Sequence, residues 1–430
     1  MTPAARLAAA IDVFTDIETR RRPAPDALKD WGLAHRFAGS GDRAAIAGLV
    51  YDALRRRASA AWIMDAATPR AILLGMLHIE RGFDAMAIAK LADGGRFAPA
   101  PLSSTECAAL SARTLDDAPA HVAGDFPEWL DLPLARVFGD DRVAEAAALA
   151  HRAPLDLRVN TLKADRTKVL DELGHHAAKP TPWSPLGVRI TVAADAKSPP
   201  IHAEPCYLKG HIEVQDEGSQ LATLLTGAKP GEKVVDLCAG AGGKTLALAA
   251  MMDNHGQIFA SDLDLRRLAP IHARLQRAGV RNTQVRTPRR EEDALADVAE
   301  RADLVLIDAP CTGTGSWRRN PDAKWRVRPG ALAARIKEQA ELLNRAVSLL
   351  KPAGRIAYVT CSVLAEENTD QVLSFLSRHP EFRAAPDELL AALGDNAPAF
   401  RQTALTSPEG VLMTPRRTGT DGFFVALLRR

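Results

Sequence analysis

Val234-Val235-Asp236-Leu237-Cys238-Ala239-Gly240-Ala241-Gly242-Gly243-Lys244-Thr245 decides how the chain reads. Two valines lead into an acid, glycines crowd the following positions, and alanine-rich text begins: a buried strand, a tight turn and the start of a helix. Backbone amides at such a helix start can cradle an anion or a nucleoside, and glycines let a ligand approach the main chain. Two phosphate motifs nearly fit. A P-loop (GxxxxGK[ST]) needs glycine where Cys238 stands, and a GxGxxG fingerprint started at Gly240 and Gly242 meets Thr245 at its third glycine.

Working outward, IFASD (258–262), LVLID (304–308) and RIAYVT (355–360) repeat the pattern of an apolar run followed by helical text. From about residue 229 onward this alternation predicts an α/β domain, a parallel sheet with helices on both faces. Between 151 and 228, short β-like runs (Leu157–Val159, Val188–Val192, His211–Val214) are broken by Pro180, Pro182, Pro185, Pro199 and Pro200, which predicts a small α/β subdomain. Residues 1–150 read as helices, with apolar positions such as Ile46, Leu49, Val50, Ala53 and Leu54 at helical spacing. One helix is expected to start at Gly41 with Asp42 as its cap. It ends in Arg55, Arg56 and Arg57, read as a solvated end that complements the helix dipole, with nucleic-acid contact as the alternative.

The chain has 430 residues, 47% hydrophobic and 25% charged, enough for two or three domains and incompatible with global disorder. A net charge of +2 forces neither a nucleic-acid nor a membrane partner, so any basic surface must be local. No apolar run reaches the roughly 18 residues of a membrane helix, and Arg6 and Asp12 interrupt any signal-peptide reading of the N-terminus. Five cysteines without short repeated spacing (Cys107, Cys206, Cys238, Cys311, Cys361) argue for reduced, intracellular thiols and against a disulfide scaffold or a CxxC metal site.

The acid Asp262 follows the second strand about 20 residues beyond the turn. Alone it would be a helix cap; coupled to the glycine turn it is placed for two ribose hydroxyls. Cys311, in DAPCTGTG (308–315), and Cys361, in TCS (360–362), each leave the carboxyl end of a strand, the edge where open α/β sheets bind ligands. A single cysteine is most often an inert hydrophobe. Two at matching strand ends, one sharing its loop with Asp308, favour nucleophilic chemistry. The rival for Asp308, a magnesium-holding acid of a P-loop hydrolase, is weakened by Cys238, and a redox pair by the absence of CxxC spacing.

Together these residues resemble the RsmB/Sun (Nop2-like) family of RNA cytosine-5 methyltransferases. The resemblance rests on DLCAGAGGKT, Asp262, DAPCTGTG, RRNPDAKW (318–325), TCSVLAEEN (360–368) and DGFFVALLRR (421–430), with RVN (158–160) and VQDEGSQ (214–220) in the preceding subdomain. More weakly, GDRAAIAGLVYDALR resembles the NusB-like RNA-binding region of bacterial members. It implies a Rossmann-like methyltransferase domain over 229–430, an RNA-facing subdomain over 151–228 and a NusB-like domain over 1–150. It further implies S-adenosylmethionine as cofactor, held by Cys238, Ala239, Gly240, Ala241, Gly242, Gly243, Lys244, Asp262 and Asp308, and no metal. Cys361 would be the nucleophile that adds to C6 of cytosine, Asp308 would bond N3 and the exocyclic amine, and Cys311 would assist release. The expected partner is RNA, ribosomal before transfer RNA, reached by a cytoplasmic monomer without a membrane. Arg318, Arg319, Lys324 and Arg326, interleaved with Trp317 and Trp325, are expected to contact it. The chain departs from the family at Gly240-Ala241, where alanine-proline is usual, and at Thr287-Pro288-Arg289-Arg290, where an adenine-contacting acid is usual. The second departure alone favours a non-catalytic RNA-binding assembly factor, against which the retained Cys311 and Cys361 speak.

Overall fold

The computed structural model describes residues 1–192, 199–287 and 293–430, which fall into two units. The first joins Met1–Arg152 to a distant segment, Trp317–Val327, and is helical. Some of its helices begin where the sequence supplies caps: Thr2 Oγ1 accepts the Ala5 amide ahead of Pro3–Arg20, and Thr68 Oγ1 accepts that of Ala71 ahead of Pro69–Arg81. Leu7, Val13, Phe14, Ile46, Val50, Leu54, Leu73, Leu74 and Leu77 form its core. The helix expected from Gly41 runs Ser40–Arg55 behind Gly39, and Asp42, three residues past the cap position, instead takes Arg6 Nε at 2.9 Å.

The arginine triplet is not a solvated end, because each member is paired within the unit. Arg55 is buried beside Asp52, Arg56 bonds Glu80 at 2.7 Å, and Arg57 bonds Glu18 at 2.6 Å. Onto this helix end folds the distant segment. Trp325 Nε1 donates to the Leu54 carbonyl at 2.7 Å, Lys324 Nζ to that of Arg55 at 3.1 Å, and Arg55 in turn to that of Arg318 at 3.1 Å.

The second unit comprises Ala153–Val192, 199–316 and Arg328–Arg430. In it β1 (Leu155–Val159), β2 (Lys179–Pro180), β3 (Gly187–Ile190) and β4 (Ile212–Val214) form an antiparallel sheet of order β2-β3-β1-β4, close to the runs read from sequence. Asn160 ties this sheet to the rest of the unit: its Nδ2 donates to the carbonyls of Gly210 and Ala278, both at 2.8 Å.

Among the described residues nine strands make the large sheet: β5 (Lys233–Asp236), β6 (Gln257–Ser261), β7 (Thr283–Arg286), β8 (Ala302–Asp308), β9 (Leu350–Thr360), β10 (Arg383–Ala384), β11 (Leu405–Thr406), β12 (Val411–Met413) and β13 (Phe423–Arg429). The order is β11-β12-β13-β9-β8-β5-β6-β7, with β10 beside β13. From β7 to β9 the strands are parallel, as expected, and their runs are apolar because both faces are covered. The all-parallel expectation fails beyond β9. DGFFVALLRR forms β13 antiparallel to β9, Phe424 opposite Thr360, and pairs with β12 in a hairpin that needs no crossover. Chain order reverses between β6 and β8 on either side of β5, so ligands are expected at the carboxyl ends of β5, β6, β8 and β9. Among the described residues no single helix is long and apolar enough to cross a membrane.

Candidate functional site

The turn after β5 is shaped by left-handed glycines and by the acids around it. Gly240 (φ 51°) donates its amide to Asp262 Oδ2 at 2.9 Å, and Oδ1 of the same carboxylate takes the Asp264 amide at 2.8 Å. The cap of the following helix is Asp264, which bonds the amides of Arg266 and Arg267, so Asp262 is not spent as a cap. Gly242 (φ 87°) admits no side chain: a Cβ there would stand 2.5 Å from Ile271. Beneath the turn, Thr245 donates to Asp236 Oδ2 at 2.6 Å. Burial pushes the Asp236 carboxyl up to about 7.

Lys244 is buried and its ammonium meets Asp308 Oδ2 at 2.7 Å, joining the turn after β5 to the end of β8. One strand further, the Cys311 and Cys361 sulfurs lie 3.3 Å apart. Adjacency of β8 and β9, in register from Leu304 with Arg355 to Asp308 with Val359, brings them together. Contact with the Cys361 thiol, then burial, then the charges of Cys361 and Glu367 hold the Cys311 thiol well above its ordinary range. Burial, with the surrounding acids, holds the Cys238 thiol well above its ordinary range: it packs under the turn.

Main-chain contacts explain the remaining motif letters. Gly315 and Gly422 pack backbone on backbone: a Cβ on Gly315 would fall 2.1 Å from the Gly422 carbonyl oxygen. The Gly422 amide donates to the Gly315 carbonyl at 2.8 Å, so DGFF braces CTGTG. Thr314 Oγ1 accepts the Val363 amide at 2.9 Å, and Asn368 Nδ2 holds the Ser362 carbonyl at 2.9 Å.

A cavity of about 430 Å³ gathers most of these groups. Cys238, Asp262, Asp308, Cys311 and Cys361 line it together with Arg267, which sequence reasoning did not single out. Ala239, Gly240, Ala241 and Gly243 form the adjoining turn, with the Ala241 carbonyl held by Arg274 at 2.8 Å. Glu367 was also missed; within the motif it reads as one of two solvated acids, yet it is fully buried. The acid sought near Thr287-Arg290 lies largely outside the described residues.

The basic tract does not stand as expected. Lys324 is 1% exposed and Arg318 is 5% exposed, both inside the helical unit, and a buried ammonium bonded to a carbonyl is no phosphate contact. Arg319 is partly buried, and Arg326 is exposed but paired with Asp322 at 2.9 Å.

A glycine turn and strand-end acids around the order reversal of a Rossmann-like sheet, with two strand-end thiols on the same edge, define a methyltransferase of the S-adenosylmethionine-dependent class. Residues 222–429 match the family described as 16S rRNA methyltransferase RsmB/F, and 126–197 match the ferredoxin-like domain of RsmF/B-like methyltransferases. A probable ribosomal RNA small subunit methyltransferase B of Synechocystis is 30% identical over 71% of this chain and 67% of its own length. The ribosomal RNA small subunit methyltransferase B of Klebsiella pneumoniae is 34% identical over 70% and 65%. The chain therefore spans about two thirds of the length of these curated relatives. Among solved structures, PH0851 superposes with a TM-score of 0.72 at 25% identity, covering 100% of this chain and 99% of its own. A methyltransferase homologue from Pyrococcus horikoshii gives 0.57 at 26%, covering 72% and 97%. The chain belongs to the RsmB/F family.

Proposed function

We propose that this chain forms 5-methylcytosine in ribosomal RNA. The observation that carries the reading is the pair of sulfurs 3.3 Å apart in a cavity shared with Asp308 and Asp262. C5 of cytosine is a poor nucleophile, and addition of a thiolate at C6 moves the C5–C6 electron pair onto C5. Cys361 is that nucleophile. Asp308, steadied by Lys244, faces N3 and the exocyclic amine and stabilises the charge that develops on addition. Once C5 carries the methyl group, its proton passes to solvent, the C5–H electron pair re-forms the ring double bond and the Cys361 thiolate is expelled, a step that Cys311 assists.

S-adenosylmethionine supplies the electrophilic methyl group. The turn from Cys238 to Lys244 and Asp262 would hold it. Each Asp262 oxygen takes one amide and keeps a lone pair for a ribose hydroxyl, and only side-chain ends lie near the missing Cβ of Gly240, Arg267 at 3.5 Å and Asp262 at 3.8 Å. The target cytosine must be unpaired or flipped, because C6 cannot reach a thiol from within a duplex. The helical unit serves as a NusB-like RNA-binding domain, Arg319 and Arg326 contribute phosphate contacts, and the enzyme works as a cytoplasmic monomer without a metal. Ribosomal RNA is preferred over transfer RNA because the relatives named above act on it. Bisulfite sequencing of total RNA with and without the gene tests this: one ribosomal cytosine should lose its protection. Cys361→Ala should abolish methylation and Cys311→Ala should accumulate a covalent protein–RNA adduct. Normal methylation by Cys361→Ala would overturn the assignment.

A further inference from the structure

Two thiols 3.3 Å apart are within hydrogen-bond reach, so that a thiolate on one is met by the proton of the other, which lies between them. Nothing in the pair itself decides which sulfur keeps it. The chemistry above needs the thiolate on Cys361, and a source of asymmetry lies behind Cys311.

Glu367 is 0% exposed. Its carboxylate accepts the Thr312 amide at 2.9 Å, the Thr312 hydroxyl, and Gln339 Nε2 at 3.0 Å, while the same Gln339 nitrogen donates to the Pro310 carbonyl at 2.9 Å. Pro310 and Thr312 are the two neighbours of Cys311. The Glu367 carbonyl is held as well, by the Tyr358 hydroxyl at 2.7 Å. Among the described residues the three donors to the carboxylate are neutral, so its charge is solvated by dipoles.

Resting on Cys361 as the nucleophile, we propose that Glu367 is the positioning residue that makes the two cysteines unequal. It pins the Cys311 loop at Thr312 directly and at Pro310 through Gln339, and sets a negative charge behind it, which leaves the shared proton on Cys311 and the thiolate on Cys361. That charge is among the causes that hold the Cys311 thiol high, after its bond with Cys361 and burial; the Gly313 amide acts in the opposite sense. Tyr358, which burial keeps un-ionised, faces Cys311 from β9. Asp308 is paired with Lys244, and Asp262, Asp264, Arg267, Arg335 and Glu338 are the other charged residues that line the cavity. A proton retained on Cys311 lies between the sulfurs, where it donates to the attacking thiolate and stays at hand for the later release.

The test needs neither RNA nor methyl donor, so its outcome is separable from that of the proposed reaction. The full-length protein is alkylated with iodoacetamide from pH 6 to 10, and the peptides bearing Cys311 and Cys361 are quantified separately by mass spectrometry. In the wild type, Cys361 should react with the lower midpoint. Glu367→Gln should lower the Cys311 midpoint by about one pH unit, about a tenfold gain in its thiolate fraction at neutral pH. Thr312→Val loosens the same loop but keeps the charge; it should raise the Cys311 rate at every pH without moving the midpoint. An unchanged Cys311 midpoint in Glu367→Gln, or equal shifts in both variants, overturns the proposal. If Glu367→Gln does not fold, the wild type still decides, because a Cys311 midpoint below that of Cys361 is incompatible with it.

Discussion

Replacing Lys324 by methionine should change how the helical unit responds to pH. Lys324 is 1% exposed, donates to the Arg55 carbonyl at 3.1 Å, and lies 5.0 and 5.9 Å from the ring centres of Trp325 and Trp317. Burial drives its ammonium down to about 7. The unfolded chain keeps that proton up to about pH 10.4. Between about pH 7 and 10.4 the unfolded state therefore binds more protons than the folded one, and stability rises with pH by up to about 1.4 kcal/mol per unit. Below pH 7 both states are protonated and the whole cost of burial, at most about 5 kcal/mol, is present. Methionine has similar length and no charge. Its gain at low pH is reduced by the lost hydrogen bond and by the lost attraction to buried Asp125, leaving about 1–4 kcal/mol. Five of the six tryptophans (Trp31, Trp62, Trp129, Trp317, Trp325) belong to this unit, so urea unfolding followed by fluorescence reports on it. The stability advantage of Lys324→Met should shrink by about 1 kcal/mol or more per pH unit from pH 7 to 9. A difference that does not vary with pH would refute the reasoning, because Lys324 would then keep its proton in the folded state.

Three further outcomes are expected. Gly242→Ala combines a φ of 87° with a Cβ 2.5 Å from Ile271; it should cost about 1–3 kcal/mol in thermal denaturation and weaken S-adenosylmethionine binding in equilibrium dialysis. Asp236 holds its proton to about pH 7 when folded and loses it near 3.9 when unfolded, so the folded state binds more protons in between and stability falls as pH rises through that window. Asp236→Asn should remove that part of the slope, by up to about 1.4 kcal/mol per pH unit between pH 5 and 7, in urea titrations followed by circular dichroism. Asn160→Ala leaves the buried carbonyls of Gly210 and Ala278 without their donor and should destabilise the second unit by about 2–4 kcal/mol in chemical denaturation.

What the sequence could reveal was local or periodic. The strand-turn-helix text around Gly240 and the apolar runs before Asp308 and Cys361 carry their own spacing, and parallel pairing of β8 with β9 then brings the thiols together. Partners distant in the chain left no such mark. Arg56 and Arg57 find Glu80 and Glu18, far away in sequence, and nothing in RRR distinguishes a paired end from a solvated one. Lys324 misleads for the same reason, since charge says nothing of burial and its tryptophan neighbours suit a stacking surface and a core equally well. Glu367 was hidden beside Glu366 because alternation in a short 3-10 turn does not mark which acid faces inward. The antiparallel return of β13 leaves no mark in its own letters, because strand direction is set by the partner strand.

The segment Trp317–Val327 also bears on how the protein is made. Chains fold as they leave the ribosome, N-terminal regions first, at about 5–20 residues per second. Residues 1–152 are therefore complete for roughly 10–30 s before the segment exists. Through that interval the carbonyls of Leu54 and Arg55 lack the Trp325 and Lys324 donors that end their helix. The helical unit is thus first to emerge but cannot finish until Val327 has been made. A fragment ending at Arg152 is a domain lacking one of its own helices, Pro321–Arg326, and a gene divided after Arg152 leaves that helix on the product that carries the second unit.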